Sequence, residues 1–165
     1  MKKTRFITQA ALIAALYVVL TYVANLFGLA SGAIQVRISE ALTILPYFTP
    51  AAIPGLFVGC ILSNTLTGCA LWDIVFGSIA TLLGALGTYA LRKWKWLTPI
   101  PPILANTLIV PFVLAYVYGV EDSIPFLMLT VGIGEVISCY ILGMILLFAL
   151  SKYRNRIFGE AGEAA

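Results

Sequence analysis

Residues 38–67 read ISEALTILPYFTPAAIPGLFVGCILSNTLT, an apolar stretch with a proline-marked break at its centre. A helix rises ~1.5 Å per residue and the hydrocarbon of a bilayer is ~30 Å thick, so one crossing takes about 20 residues. The stretch is too long for one such helix and is read as two. Pro50 supplies the break, because it disfavours helical geometry at Thr49 and its fixed φ suits the first turn of a new helix. A short second helix over about 38–48 and a third over about 50–66 result.

The rest of the chain demands the same solvent. Its 165 residues are 61% hydrophobic and 10% charged, with a mean hydropathy of +1.02, too apolar for a soluble domain. Further apolar runs cover about 6–27, 72–91, 98–118 and 123–150. No polar segment is large enough for a second domain, so residues 1–165 are read as one integral membrane domain. The opening KKTRF, an apolar run and the patch ASGA at 30–33 imitate a secretory signal. The run of about 20 residues is longer than an h-region and is read as a retained first helix.

Basic residues cluster at Lys2/Lys3/Arg5, Arg92/Lys93/Lys95 and Lys152/Arg154/Arg156, the pattern of cytoplasmic loops. An even number of crossings must separate loops on one face, and one helix in 38–67 would put the first two clusters on opposite sides. Two helices restore the parity. The expected fold is an all-α membrane protein, a six-transmembrane-helix bundle with both termini cytoplasmic. GLASGAIQVR, TGCALW and GVEDS then face outward.

Several chemistries are excluded. The chain has no histidine, which removes His-based zinc sites, Ser/His triads and imidazole proton shuttles. Cys60, Cys69 and Cys139 are an odd set without CxxC spacing, pointing to neither a metal nor a disulfide. There is no GxxxxGK[ST] loop and no paired-acid DxxxD motif, so neither ATP use by this chain alone nor a membrane enzyme is expected. A net charge of +3 spread over three loop clusters does not suit nucleic acid.

Few polar groups remain within the spans. Arg37 is the one basic residue between Arg5 and Arg92, and Glu40, Asp73 and Glu135 are the acids in or beside the spans. Arg37 and Glu40 fall within one turn at the outer mouth of the second helix, where ionic groups reach water or a ligand; a local Arg/Glu pair or interfacial anchor explains them equally. Asp73 opens the fourth helix beside Trp72, where a carboxylate also suits the helix dipole. Glu135 lies ~18 Å from the outer end of the sixth helix, and Asn106, ~12 Å up the fifth, comes level with it. The two can floor one pocket, or simply form a helix-packing hydrogen bond of about 0.6 kcal/mol. Asp73, Gly77, Thr81, Gly84 and Thr88 share one face, as do Gly132, Glu135, Cys139 and Gly143, which predicts an outward cavity lined by the fourth and sixth helices. Gly55/Gly59 reads as close packing. Ala10, Ala11, Ala14 and Ala15 make two overlapping AxxxA pairs near the cytoplasmic end, suited to intramolecular packing or to a partner helix.

On QVRISEAL (35–42), GLFVGCILSN (55–64), WDIVFGSIATLLGA (72–85) and the alanine pairs, the chain resembles the queuosine-precursor transporters of the QueT type. These are S-components of energy-coupling factor (ECF) transporters. The resemblance spans nearly the whole chain. It implies a six-helix bundle in the bacterial cytoplasmic (inner) membrane that holds a 7-deazaguanine (preQ1, preQ0 or queuine) near the outer face. It also implies docking through the first helix, at Ala10, Ala11, Ala14 and Ala15, onto a transmembrane coupling subunit driven by two ATPase subunits. The chain itself would bind no cofactor, ATP being used by the partners.

A 7-deazaguanine offers a ring N–H and an exocyclic amine to one carboxylate, while its carbonyl accepts from an amide or guanidinium. Glu135 or Glu40 can take that edge, Asn64, Asn106 or Arg37 the carbonyl, Trp72 a stacking face and Asp73 an aminomethyl cation. The competing reading is a stand-alone secondary transporter of a small vitamin-like or nucleobase substrate with Glu135 as its proton site. Such carriers commonly show repeated halves, and no convincing internal repeat is found.

Overall fold

The computed structural model describes residues 3–29 and 34–158; Lys2 and the ASGA patch lie outside the described residues. Every regular element among these residues is helical. They are α1 (Lys3–Leu26), a 3₁₀ helix (Ile38–Tyr47), α2 (Ala52–Leu66), α3 (Leu71–Ala90), α4 (Ile100–Tyr116) and α5 (Ile124–Glu135). Helix α5 runs through a π-helical stretch (Val136–Leu142) into α6 (Gly143–Ser151), and a short α7 (Arg154–Ile157) follows. Lys3–Leu26, Leu71–Ala90 and the continuous Ile124–Ser151 are long and apolar enough to cross a membrane, whereas Ala52–Leu66 and Ile100–Tyr116 are shorter apolar helices.

The segment read as the second helix takes the tighter 3₁₀ form over ten residues with Pro46 inside it. A 3₁₀ helix rises ~2.0 Å per residue, so ten residues extend ~20 Å where an α-helix would give ~15 Å. The chain turns through residues 48–51, where the Thr49 hydroxyl accepts from the Ala51 N–H at 3.3 Å, and α2 follows.

Consecutive helices α1 to α5 pack side by side, and the 3₁₀ helix lies against α1, α2, α3, α6 and the π stretch. Ser39–Pro46 are all buried. The 3₁₀ helix is thus the axis of the bundle, and its Leu42, Ile44 and Leu45 join Tyr17, Leu56, Met144 and Leu147 in the core. Exposed side chains are largely apolar, including Leu12, Val19, Leu83, Leu104, Leu129 and Ile145. That surface suits lipid rather than water.

The α1–α2 seam is built from small residues. A Cβ on Gly55 would lie 2.7 Å from the Ala10 carbonyl oxygen, and one on Gly59 would lie 3.1 Å from the Ala14 Cα. Glycine at both positions lets the backbones touch. Of the alanines expected to offer a docking face, Ala10 and Ala14 are therefore committed inside the bundle, while Ala11 and Ala15 remain exposed. The face of α3 is used in the same way, since Gly84 meets Pro102 and Gly87 meets Pro101 of α4.

The basic clusters gather at one end. Arg5 Nη2 and Gln9 Nε2 each donate to the Ile157 carbonyl at 3.4 Å, and the Trp96 and Phe148 rings are 5.7 Å apart. Lys95 Nζ lies 5.5 Å from the Phe148 ring.

Candidate ligand cavity

A cavity of about 380 Å³ lies at the opposite end of the bundle, bordered by α1, residues 35–39, the end of α2, the start of α3 and the end of α4. Its volume lies within the range of small-molecule sites. Helix α1 contributes through one face, Ala10, Ala14, Tyr17, Thr21 and Ala24, spaced three or four apart so that all point the same way. The two alanines meet α2, and Tyr17 and Thr21 border the cavity. Thr21 Oγ1 lies 3.0 Å from Ser39 Oγ. Asp73 sits in the first turn of α3, where its charge complements the helix N-terminus. Its Oδ2 accepts from the Tyr118 hydroxyl at 2.8 Å, and that hydroxyl oxygen accepts from the Ala70 N–H at 3.1 Å. Arg37 stands on the same wall as Asp73.

Behind Tyr17 is a second, wholly buried polar centre. The Tyr17 hydroxyl donates to Glu40 Oε1, and the Glu40 carboxylate, the Glu135 carboxylate and the Cys139 thiol each place one atom within 4.8 Å of the others. The Cys139 thiol donates to Glu135 Oε2 at 3.1 Å, the Thr43 hydroxyl donates to the Glu40 carbonyl at 2.6 Å and lies 3.6 Å from Cys139 Sγ, and the Asn106 amide faces both carboxylates. Glu40 is 1% exposed, and its Oε2 has no hydrogen-bond partner.

Two unusual helices bring these groups together. The π stretch widens the turn around Ser138 and Cys139 opposite the 3₁₀ helix, and such π segments are frequent at functional sites. Gly134 permits the contact, because a Cβ there would lie 2.2 Å from the Gln35 carbonyl oxygen. The close approach brings the Arg37 N–H to Ser138 Oγ at 3.1 Å. Two carboxylates and a thiol are also a donor set for a borderline divalent ion, although here the thiol hydrogen is directed to Glu135 within the protein.

Residues 7–152 match the model of the QueT transporter family. The chain belongs to the QueT transporter family. A queuosine precursor transporter QueT of Lactococcus lactis subsp. cremoris (strain MG1363) is 36% identical over 95 residues. That alignment covers 56% of this chain and 55% of the relative, so the match spans about half the length of each. No solved structure matches the chain. This is a family of transporters and not of enzymes. With three long apolar helices, this QueT-family chain is a multi-pass membrane protein.

The QueT-family chain distributes its expected site residues over two places. Arg37, Asn64 and Asp73 border the cavity. Glu40, Asn106 and Glu135 meet in the buried centre. The expectation that Glu40 reaches water at a helix mouth is corrected, because the 3₁₀ helix carries it into the bundle axis. Trp72 takes no part: it is 57% exposed and stacks on Phe76 with ring centroids 5.9 Å apart. Residues 123–150 do not border the cavity, which corrects the sixth helix's predicted part in its lining, whereas Asp73 keeps the start of the fourth helix on the wall. Gly132 and Gly143 face neighbouring segments instead, where a Cβ would make ordinary contacts, 3.5 Å from Thr107 and 3.6 Å from the Ala41 carbonyl oxygen. Tyr17 and Tyr118 are absent from the sequence-derived site. Tyr17 was legible as a polar continuation of the Ala10/Ala14 face; Tyr118, at a turn before Gly119 with its φ of 65°, carries no periodic signal.

Proposed function

We propose that this chain is the substrate-binding S-component of an ECF-type importer that captures a queuosine precursor, a 7-deazaguanine such as preQ1, preQ0 or queuine, at the outer face. In this reading six crossings place both termini in the cytoplasm of a bacterial cell, and the chain lies in its cytoplasmic membrane. The carrying observation is the cavity opposite the basic end, with Arg37, Asn64 and Asp73 on its wall. A guanidinium, an amide and a carboxylate complement the carbonyl and N–H groups of a guanine-like bicycle. The name of the Lactococcus relative supports the same ligand class. Tyr17 and Tyr118 border the cavity and supply aromatic surface in place of Trp72. Glu40, Asn106 and Glu135 support the wall from behind.

Energy comes from outside the chain, which has no nucleotide-binding loop: a transmembrane coupling subunit and two ATPase subunits use ATP. The coupling subunit docks on the exposed Ala11/Ala15 face of α1, since Ala10 and Ala14 are occupied by α2. Purified chain should bind a 7-deazaguanine in calorimetry without ATP or partners; no heat with any queuosine precursor would defeat the substrate assignment. The buried Glu40/Glu135 pair favours one rival, a stand-alone proton-coupled transporter. Uptake into liposomes by the chain alone, without coupling and ATPase subunits, would establish that rival.

A further inference from the structure

Tyr17 stands between the two polar places: it borders the cavity, and its hydroxyl donates to Glu40 Oε1 on the other side. A phenol has one hydrogen to give and retains an oxygen that accepts. We propose that Tyr17 is a specificity-determining residue, locked by Glu40 as a hydrogen-bond acceptor toward the cavity, so that the ligand must bring an N–H donor to it. This rests on the 7-deazaguanine reading above and deepens it. Glu40 is then a positioning residue that acts through Tyr17.

Two further hydroxyls of the wall also spend their hydrogens within the protein. The Tyr118 hydrogen is directed to Asp73 at 2.8 Å, and the Thr21 hydrogen is directed within the protein, to the Tyr17 carbonyl at 2.9 Å or to Ser39 Oγ at 3.0 Å. Tyr17 and Thr21 thus keep oxygen lone pairs at the wall, the Tyr118 oxygen already accepts from the Ala70 N–H, Asp73 adds a carboxylate, and Arg37 with the amides of Asn25, Gln35 and Asn64 supplies donors. Such a wall pairs with a ligand that carries N–H groups for these oxygens and a carbonyl for the guanidinium or an amide. Tyr17 has little room to swing away, because its side chain is 2% exposed within the core. The hydroxyl therefore reads the ligand where it stands. Burial also makes the lock strict, since an oxygen denied its hydrogen-bond partner in such a place is costly.

The test uses detergent-purified chain, 7-deazaguanine, and three analogues that each lose one donor: the 2-amino group removed, N1 methylated, or N9 methylated. Tyr17→Phe keeps the ring and is expected to weaken 7-deazaguanine binding about tenfold, while one of the analogues binds the wild type and Tyr17→Phe equally. Glu40→Gln supplies an amide N–H that can turn the Tyr17 hydroxyl around, so it should weaken the wild type yet add nothing in the Tyr17→Phe background. Tyr17→Phe binding 7-deazaguanine as tightly as wild type overturns the proposal. So does a Tyr17→Phe loss that is equal for all four ligands, or additive effects of Glu40→Gln and Tyr17→Phe. Wild type that binds none of the four overturns the substrate reading and this inference with it, whereas the preceding outcomes leave that reading intact.

Discussion

Two regions of α1 obey different physics. Toward the basic end, Ala10 and Ala14 meet Gly55 and Gly59 of α2 so closely that the glycines have no room for a Cβ. One helical turn on, Tyr17 still meets Gly59 through its Cβ but borders the cavity with Thr21, with Glu40, Glu135, Cys139 and Asn106 behind them. In lipid there is no hydrophobic gain from pressing two apolar helices together, so the seam depends on van der Waals fit and small residues. The polar centre depends on hydrogen bonds and charge balance, and buried acids in a membrane protein are expensive enough to mark function. The seam should therefore fail by steric change and the centre by chemical change.

The largest effect is expected at the seam. Ala14→Trp and Gly59→Leu drive atoms into a backbone contact and should cost about 3 kcal/mol, the upper end of overpacking, with folding and ligand binding lost together. Thermal unfolding in detergent checks this, and a folded Ala14→Trp that binds ligand would break the comparison. At the cavity, Asp73→Asn removes a wall charge and should weaken binding of a 7-deazaguanine by about 1.5–3 kcal/mol, with the melting temperature little changed. Calorimetry measures that loss, and it should exceed the loss for Glu135→Gln, which lies away from the wall. A smaller effect is expected for Tyr118→Phe, which leaves the Asp73 carboxylate without its donor at about 1 kcal/mol, or roughly fivefold in affinity. The smallest effects belong to Ala15→Trp and Trp72→Ala, on exposed surface, each within about 0.5 kcal/mol in stability and affinity. Ala15→Trp should nevertheless abolish co-purification with the coupling subunit; unimpaired assembly would remove Ala11/Ala15 as the docking face.

Much of this was legible because it is local. The apolar runs, the proline-marked break near residue 50, the small-residue spacing of Gly55/Gly59 and the short set of intramembrane acids are properties of neighbouring residues. The partners of those residues were not. Both Ala14 and Ala15 belong to AxxxA pairs, yet a rotation of about 100° around α1 gives one to α2 and the other to the surface. Trp72 and Asp73 are adjacent in sequence and point apart for the same reason. The 3₁₀ form of Ile38–Tyr47 and the π form of Val136–Leu142 were not legible: the two segments pack against each other, and no spacing of neighbouring residues marks that contact.

The sequence by itself determined that the chain is helical, that it belongs in a membrane, and which few side chains carry charge inside it, since hydropathy and composition need no partner to act. Only the tertiary structure decided that Glu40 is sealed behind Tyr17 while Arg37, three residues away, borders the cavity. That choice is made by over-wound and under-wound helices packing together with Gly134 against the Gln35 carbonyl, a contact between segments about a hundred residues apart. The direction in which a side chain points is fixed by what its helix packs against, and no local pattern encodes it.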